Sequence, residues 1–239
     1  MKKLMKRLLN NKGLTLTELI VALFLTSVIL AIAVGMLAPV KDLMNTMKSN
    51  AHMDTISSTV GEYVRGTLQA ATSLKFVTLD SNNEIQPSDR EGVKDFFSNH
   101  SKVRALAVLN VNDDASEPPV YRLYDFDAIT SGGYTDLINM LDAKDQDKYG
   151  VFNTPFYNGT SCVVEFYSDG TTLQVASQCF RNDEMLNQKH VLNFRLLNSS
   201  VSPNSGGIKT DADLNGADPE IEIEGHSYLI LYTLYDWTA

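Results

Sequence analysis

The residue with the clearest chemical significance is Glu18, a single carboxylate at the start of a long apolar run. No other charged residue occurs between Gly13 and Val40. A carboxylate beside or within a membrane-spanning helix costs on the order of several kcal/mol unless it is paired, so it marks a functional position by default. The alternative is that water solvates Glu18 at the membrane edge and that it has no function.

A second group of oxygen-bearing side chains lies near the C-terminus and consists of Asp211, Asp213, Asn215 and Glu222. Together with Gly216 they fit the spacing of a calcium loop, in which oxygen atoms converge around a tight glycine turn. A proline- and glycine-rich segment precedes the loop and a strand pattern follows it, so it is not an EF-hand. The spacing is compatible with a structural calcium ion, and the sequence indicates no required cofactor. The alternative is a solvated acidic turn.

The two cysteines, Cys162 and Cys179, lie in two strand patterns separated by Asp169-Gly170, a strong hairpin signal. A two-residue turn places the cysteines two positions out of register, whereas a bulge or a longer turn places them opposite each other. We therefore predict a disulfide, which closes a loop of about 16 residues and adds roughly 3 kcal/mol to stability. Two buried free thiols are the alternative.

No residue pattern indicates catalysis. The sequence has no glycine-rich phosphate loop, no serine-centred elbow and no CxxC motif. None of the histidines has the spacing of zinc ligands. The four are His52, His100, His190 and His226. We therefore expect no enzymatic activity.

The element that must position Glu18 is the uncharged segment from Leu19 to Val40. As a helix it is about 33 Å long at ~1.5 Å per residue, close to the ~30 Å hydrocarbon core of a bilayer. Five basic residues and no acidic ones precede Leu14. Such a flank stays in the cytoplasm by the positive-inside rule, which places the C-terminal bulk of the chain outside.

This N-terminus resembles that of type IV pilin and pseudopilin precursors. The resemblance is carried by Gly13, by the following residues LTLTELI and by the long apolar helix, about 30 of the 239 residues. It implies that a prepilin peptidase cleaves between Gly13 and Leu14 and methylates the new amino terminus of Leu14. It also implies that Glu18 pairs with the amine of Leu14 on a neighbouring subunit during assembly.

An ordinary secretory signal is the competing interpretation of the N-terminus, because Ala31-Ile32-Ala33 has the small-x-small form of a cleavage site. The apolar region of such a signal is about 7–15 residues long. Here the apolar run continues past Ala33 through Leu37. The length therefore favours the pilin-like interpretation.

The charge distribution bears on the partners. The chain has a net charge of -9, and loss of residues 1–13 with their five positive charges leaves -14. An acidic exterior argues against direct nucleic-acid binding through a basic patch. The resemblance implies other partners, namely prepilin peptidase, other pilin or pseudopilin subunits, an inner-membrane assembly platform and membrane lipid.

Beyond Lys41 the helix is predicted to become amphipathic and to continue to Ala71. The apolar residues recur at three- and four-residue steps, as on a helix face that packs on a sheet. Gly61 and Gly66 each weaken this helix by about 1 kcal/mol relative to alanine. The apolar stripe is Met53, Ile56, Val60, Tyr63, Val64, Leu68 and Ala71, and the opposite, polar side holds Asp54, Ser57, Ser58, Glu62 and Arg65.

The remainder of the chain has the pattern of a β-rich head, so the predicted fold class is α+β. The expected strands are residues 74–79, 103–111, 120–126, 162–167, 171–179, 191–197 and 227–235, and short helices are expected at 88–99 and 134–141. Residues 103–111 and 120–126 are expected to form a hairpin. The last strand is apolar on both faces, which is typical of a central, buried strand.

Four regions follow from these patterns: a basic leader (1–13), a transmembrane and assembly helix (14–40), an amphipathic helical half (41–72) and an extracytoplasmic head (73–239). The head is larger than that of a typical major pilin, so the resemblance implies a minor pilin or minor pseudopilin. The expected location is the cell membrane, single-pass, and then a filament. The alternative function is a membrane-anchored binding protein that never polymerises.

Overall fold

The computed structural model describes most of the chain from Thr15 onward. The described residues are 15–80, 82–112, 117–126, 133–142, 148–168, 172–181, 184–186, 189–197, 208–210 and 227–235. The chain divides into two compact units, Met1–Ser49 and Asn50–Ala239.

The described elements confirm an α+β fold. The helices are α1 (Leu16–Gln69), α2 (Pro87–Asn99), α3 (Tyr134–Asp142) and α4 (Thr154–Tyr157). The strands are β1 (Ala71–Thr78), β2 (Arg104–Asn110), β3 (Tyr121–Phe126), β4 (Ser161–Ser168), β5 (Thr172–Arg181), β6 (Glu184–Met185), β7 (His190–Arg195), β8 (Lys209–Thr210) and β9 (Tyr228–Leu234). The short elements α4, β6 and β8 were not predicted.

Helix α1 is continuous over 54 residues and contains Pro39. Its bounds lie within two residues of the predicted ones. In the second unit its apolar stripe is buried, as predicted, with Tyr63 half-buried, but Ala71, expected at the end of the helix, is the first residue of β1. The buried apolar residues of α1 are Met53, Ile56, Val60, Val64 and Leu68.

Ser57 was expected on the polar side of α1, and this is wrong because the side chain is fully buried. Its hydroxyl donates to the backbone carbonyl of Ser177 at 2.7 Å, and the Ser177 hydroxyl donates to the carbonyl of Ser57 at 2.8 Å. These reciprocal bonds satisfy both hydroxyls, which removes most of the penalty of burying them. Helix α1 is therefore bonded directly to strand β5.

The first sheet has four antiparallel strands in the order β1-β9-β2-β3. The β2–β3 hairpin and the central, buried position of β9 were both predicted. One face of the sheet shares a core with α1, while the other face packs with residues of α2 and α3 such as Phe96 and Leu137. This sheet is consequently covered on both faces, which is why its central strand is apolar throughout.

The second sheet contains β6, β5, β4 and β8 in that order, with β7 also paired to β5. All of its pairs are antiparallel except β4–β8, which is parallel. The rings of Phe76 in β1 and Phe166 in β4 meet edge to face with centroids 5.1 Å apart, and Phe166 also contacts Tyr228. The two sheets therefore share one apolar core, into which α1 inserts its buried stripe.

Candidate functional site

The predicted cleavage residues Gly13 and Leu14 lie outside the described residues, which begin at Thr15. The described part of the site is the first turn of α1 and its apolar continuation. Here the predicted assembly residue, Glu18, lies in the first turn of the helix and is exposed.

Glu18 and Thr15 form a reciprocal cap at the start of α1. One carboxylate oxygen of Glu18, Oε2, accepts the backbone N–H of Thr15 at 2.9 Å and its hydroxyl at 3.0 Å. The hydroxyl oxygen of Thr15 in turn lies 3.4 Å from the backbone nitrogen of Glu18. This is the Thr-x-x-Glu capping box, in which each side chain satisfies a donor that the first helical turn leaves unpaired.

Thr15 is a site residue that was not predicted from the sequence. The signal for it was present, because threonine three residues before glutamate at the head of an apolar helix is a capping-box pattern. The cap gives the Glu18 carboxylate a hydrogen-bonded position at the positive end of the α1 dipole, where negative charge is stabilised. Glu18 is therefore oriented by its own chain before it meets any partner.

The apolar surface that follows Glu18 is exposed at every residue from Leu19 to Val40. Two hydroxyls within it are satisfied by the helix itself: Thr26 donates to the carbonyl of Ala22 at 2.9 Å, and Ser27 donates to that of Phe24 at 2.7 Å. In the described part of the chain, α1 is the helix that is long and apolar enough to cross a membrane. Such a surface requires lipid or other apolar helices around it.

Comparison with protein families agrees with this geometry. The family described as Prokaryotic N-terminal methylation motif matches residues 8–34. The N-terminus is that of a type IV pilin-like precursor. The matched residues include the predicted cleavage position, Glu18 and most of the uncharged helix. No curated protein and no solved structure matches the chain.

The pilin-like N-terminus has direct consequences for function and location. Proteins with this motif are structural, non-enzymatic subunits, in agreement with the expectation that the chain has no enzymatic activity. The motif and the apolar helix together anchor the protein in a membrane. In general, the motif also implies maturation by prepilin peptidase and assembly with pilin subunits.

The structure places the two cysteines next to each other in the second sheet. Cys162 pairs directly with Cys179 across β4 and β5. The same register pairs Ser168 with Leu173, so it differs by two positions from the register that a two-residue turn at Asp169-Gly170 would give. Both cysteines are buried free thiols in this structure, and the disulfide stays a prediction.

The predicted calcium ligands Asp211, Asp213, Asn215 and Glu222 lie outside the described residues. The chain reaches them directly from β8, which ends at Thr210 and pairs in parallel with the end of β4. Among the described residues, no group of three histidine, cysteine, aspartate or glutamate side chains could hold a metal ion.

A polar cluster joins α1 to the first sheet and was not visible in the sequence. The hydroxyl of Tyr63 donates to one carboxylate oxygen of Asp125 at 2.6 Å, and the hydroxyl of Tyr232 donates to the other at 3.3 Å. Burial, and secondarily the charge of Asp125, raises the pKa of Tyr232, so its hydroxyl remains a donor at neutral pH. The cluster fixes the helix on the sheet.

Proposed function

We propose that this protein is a structural subunit of a type IV filament system, specifically a minor pilin or minor pseudopilin. The observation that supports it most is the N-terminal methylation motif at residues 8–34, which leads into an exposed apolar helix with one capped carboxylate. A helix that only anchors a domain in lipid requires no carboxylate, and an acidic side chain in the membrane carries a free-energy cost.

Maturation begins with the leader. Its five basic residues hold the N-terminus in the cytoplasm, and prepilin peptidase cleaves between Gly13 and Leu14. Cleavage creates a free amine on Leu14, which is then methylated. The mature chain carries a net charge of -14, nearly all of it in the extracytoplasmic part beyond Val40.

Assembly uses Glu18 and the apolar face of α1. Within the described part of the chain, the hydrogen bonds that Glu18 accepts both come from Thr15 and both go to Oε2. The other oxygen, Oε1, is left for the positive amine of Leu14 on a neighbouring subunit. The pairing neutralises two charges in an apolar setting, and it fixes the register because a lone buried charge is strongly unfavourable. Neighbouring subunits, positioned by the assembly platform, then replace lipid around the helix.

The N-terminal residue of the protein isolated from native host membranes tests the maturation. We expect a chain that begins at methylated Leu14, identified by intact mass and N-terminal peptide sequencing. A chain that begins at Val34 would indicate an ordinary secreted protein and would contradict the proposal. An intact Met1 would indicate a plain single-pass anchor and would contradict it as well.

Crosslinking in membranes and in sheared filaments separates the filament subunit from a binding protein that does not polymerise. A filament subunit is recovered with pilin or pseudopilin chains, crosslinked through α1. A binding protein would remain in the membrane fraction without such crosslinks. The two outcomes depend on the helix alone, so they do not require the ligand of the head to be known.

We also propose that Asp211, Asp213, Asn215 and Glu222 hold a structural calcium ion. The support is their oxygen-ligand spacing and their attachment to β8, which is paired with β4. At free calcium 100-fold above Kd, binding adds about 2.7 kcal/mol of stability, or roughly 5–10 °C in Tm.

Thermal unfolding of the full chain in detergent, with calcium and with chelator, measures this effect. Asp213→Ala should abolish the calcium-dependent rise in Tm, whereas Asp54→Ala, which removes an exposed acid from α1, should leave it unchanged. An identical Tm for the wild-type chain in calcium and in chelator would refute the calcium site.

A further inference from the structure

Cys162 and Cys179 form a buried pair that filament assembly does not explain. They lie directly opposite each other in β4 and β5, with 2% and 0% of their surfaces exposed. The hydrogen bond between the two thiols, together with burial, raises the pKa of Cys162 well above its ordinary value. The thiolate of Cys162, which is the reactive form of the side chain, is therefore suppressed in the folded head.

The backbone geometry of this pair suits a disulfide. Directly opposite residues of antiparallel strands have Cα atoms about 4.5–5.5 Å apart. Disulfides join residues whose Cα atoms are about 4.4–6.8 Å apart. The two strands need no change of register to bring the sulfurs into bonding distance.

Helix α1 packs against the Cys162–Cys179 pair. The thiol of Cys179 donates to the backbone carbonyl of Met53 at 3.5 Å, and Met53 is the first buried residue of α1 in the head. A protein oxidant must present its own disulfide to one of these sulfurs, and the folded head gives it no access. Oxidation must therefore precede the packing of α1 on the second sheet.

We propose that Cys162 and Cys179 are joined in a disulfide in the exported protein, and that the bond forms on the β4–β5 hairpin before α1 packs against it. The proposal rests on the extracytoplasmic location of the head, since disulfides persist in oxidising compartments. It assigns the pair to a step in the folding of the head rather than to assembly of the filament.

The reaction is thiol–disulfide exchange with an extracytoplasmic disulfide-bearing oxidoreductase. One cysteine, as thiolate, attacks a sulfur of the oxidant and forms a mixed disulfide, releasing the other oxidant sulfur as a thiolate. The second cysteine, as thiolate, then attacks the protein sulfur of the mixed disulfide. The Cys162–Cys179 bond forms, the two protons of the cysteines pass to the two oxidant thiolates, and the oxidant leaves as a dithiol with two electrons gained.

The thiol content of the full chain from native membranes tests the bond. The protein is denatured in the presence of N-ethylmaleimide and its mass is measured before and after reduction. We expect no label before reduction and two labels after it, whereas a Cys162→Ala/Cys179→Ala variant takes no label in either case. Two labels before reduction, or a disulfide to another chain, would overturn the proposal. The N-terminus read from the same sample shows separately whether leader cleavage, and so the proposed function, holds.

The order of events is tested with reduced full chain in detergent. Oxidised glutathione is added either to the folded protein or to the protein in denaturant, and the loss of free thiols is followed with time. We expect the folded protein to oxidise at least about 100-fold more slowly, because both thiols are buried in the folded head. Equal rates would show that α1 does not protect the pair and would overturn the proposed order.

Discussion

Replacing Glu18 by glutamine should lower incorporation of the protein into filaments about 100-fold, while leader removal and membrane insertion proceed as in the wild type. Removing one partner of a buried ion pair costs about 3–5 kcal/mol, because the remaining charge, here the amine of Leu14, is left buried alone. Each 1.4 kcal/mol is a factor of ten, so 100-fold is the low end of this range. The ratio of filament to membrane protein, measured by immunoblot of sheared cells, gives the effect.

Glutamine is the informative replacement because it keeps the cap. Its side-chain carbonyl can still accept the N–H and hydroxyl of Thr15, as either glutamate or glutamine does in a capping box. Glu18→Gln therefore removes only the charge, whereas Glu18→Ala removes the charge and the cap together. Thr15→Ala removes the hydroxyl of the cap and keeps the charge, at a cost of about 1 kcal/mol to the helix end.

Asp42→Asn is the matched control, since Asp42 is an exposed acid on the same helix beyond the uncharged segment. It should assemble like the wild type. If the Glu18→Gln protein is cleaved normally and enters filaments as efficiently as the control, then Glu18 does not pair with Leu14 and the assembly role fails. A Thr15→Ala defect as large as that of Glu18→Gln would instead assign the effect to the cap.

The pattern of hydrophobic residues correctly predicted the elements of the head whose apolar residues recur with the regular spacing of a helix or a strand. The buried stripe of α1 followed from three- and four-residue spacing, and the central strand β9 followed from its two apolar faces. Both signals lie within one element, and the burial of apolar surface is the main driving force of folding. Long, strongly periodic elements can therefore be predicted without knowledge of their partners.

Features that depend on two distant elements could not be predicted in the same way. Ser57 has the polarity of a surface residue, and only its partner Ser177, 120 residues away, makes its burial favourable. The Asp169-Gly170 signal correctly located a hairpin, but its register follows from pairing along the whole of β4 and β5. The division into two sheets, with β8 added in parallel, depends on connections between strands that have no local pattern.

The N-terminal site was the opposite case. Gly13, Leu14 and Glu18 were predicted as site residues from a short motif of neighbouring positions, and the family match covers the same stretch. The structure added Thr15, whose role is local to the same turn. Interactions between residues of one helical turn can be predicted from the sequence. The burial of Cys162 and Cys179 could not, because it depends on how α1, β4 and β5 pack together.

Gly61→Leu should destabilise the head by about 2–3 kcal/mol and lower its Tm by roughly 5–10 °C. A Cβ atom at Gly61 would lie 3.0 Å from Cδ1 of Leu192 and 3.4 Å from the hydroxyl of Ser177, so a whole leucine side chain must push α1 away from the second sheet. Gly61 lies one turn after Ser57 on the same helix face, and the close approach it permits is what allows the Ser57–Ser177 bonds.

Gly66→Leu is the matched control for this effect. Gly66 is exposed on the same helix, and no atom lies within 4 Å of a Cβ placed there. Leucine should therefore stabilise α1 at this position by up to about 1 kcal/mol through helix propensity alone. Thermal unfolding of the two full-length variants in detergent should give Tm shifts of opposite sign. Shifts of the same sign would mean that helix propensity, rather than contact with Ser177 and Leu192, decides the stability of this part of the head.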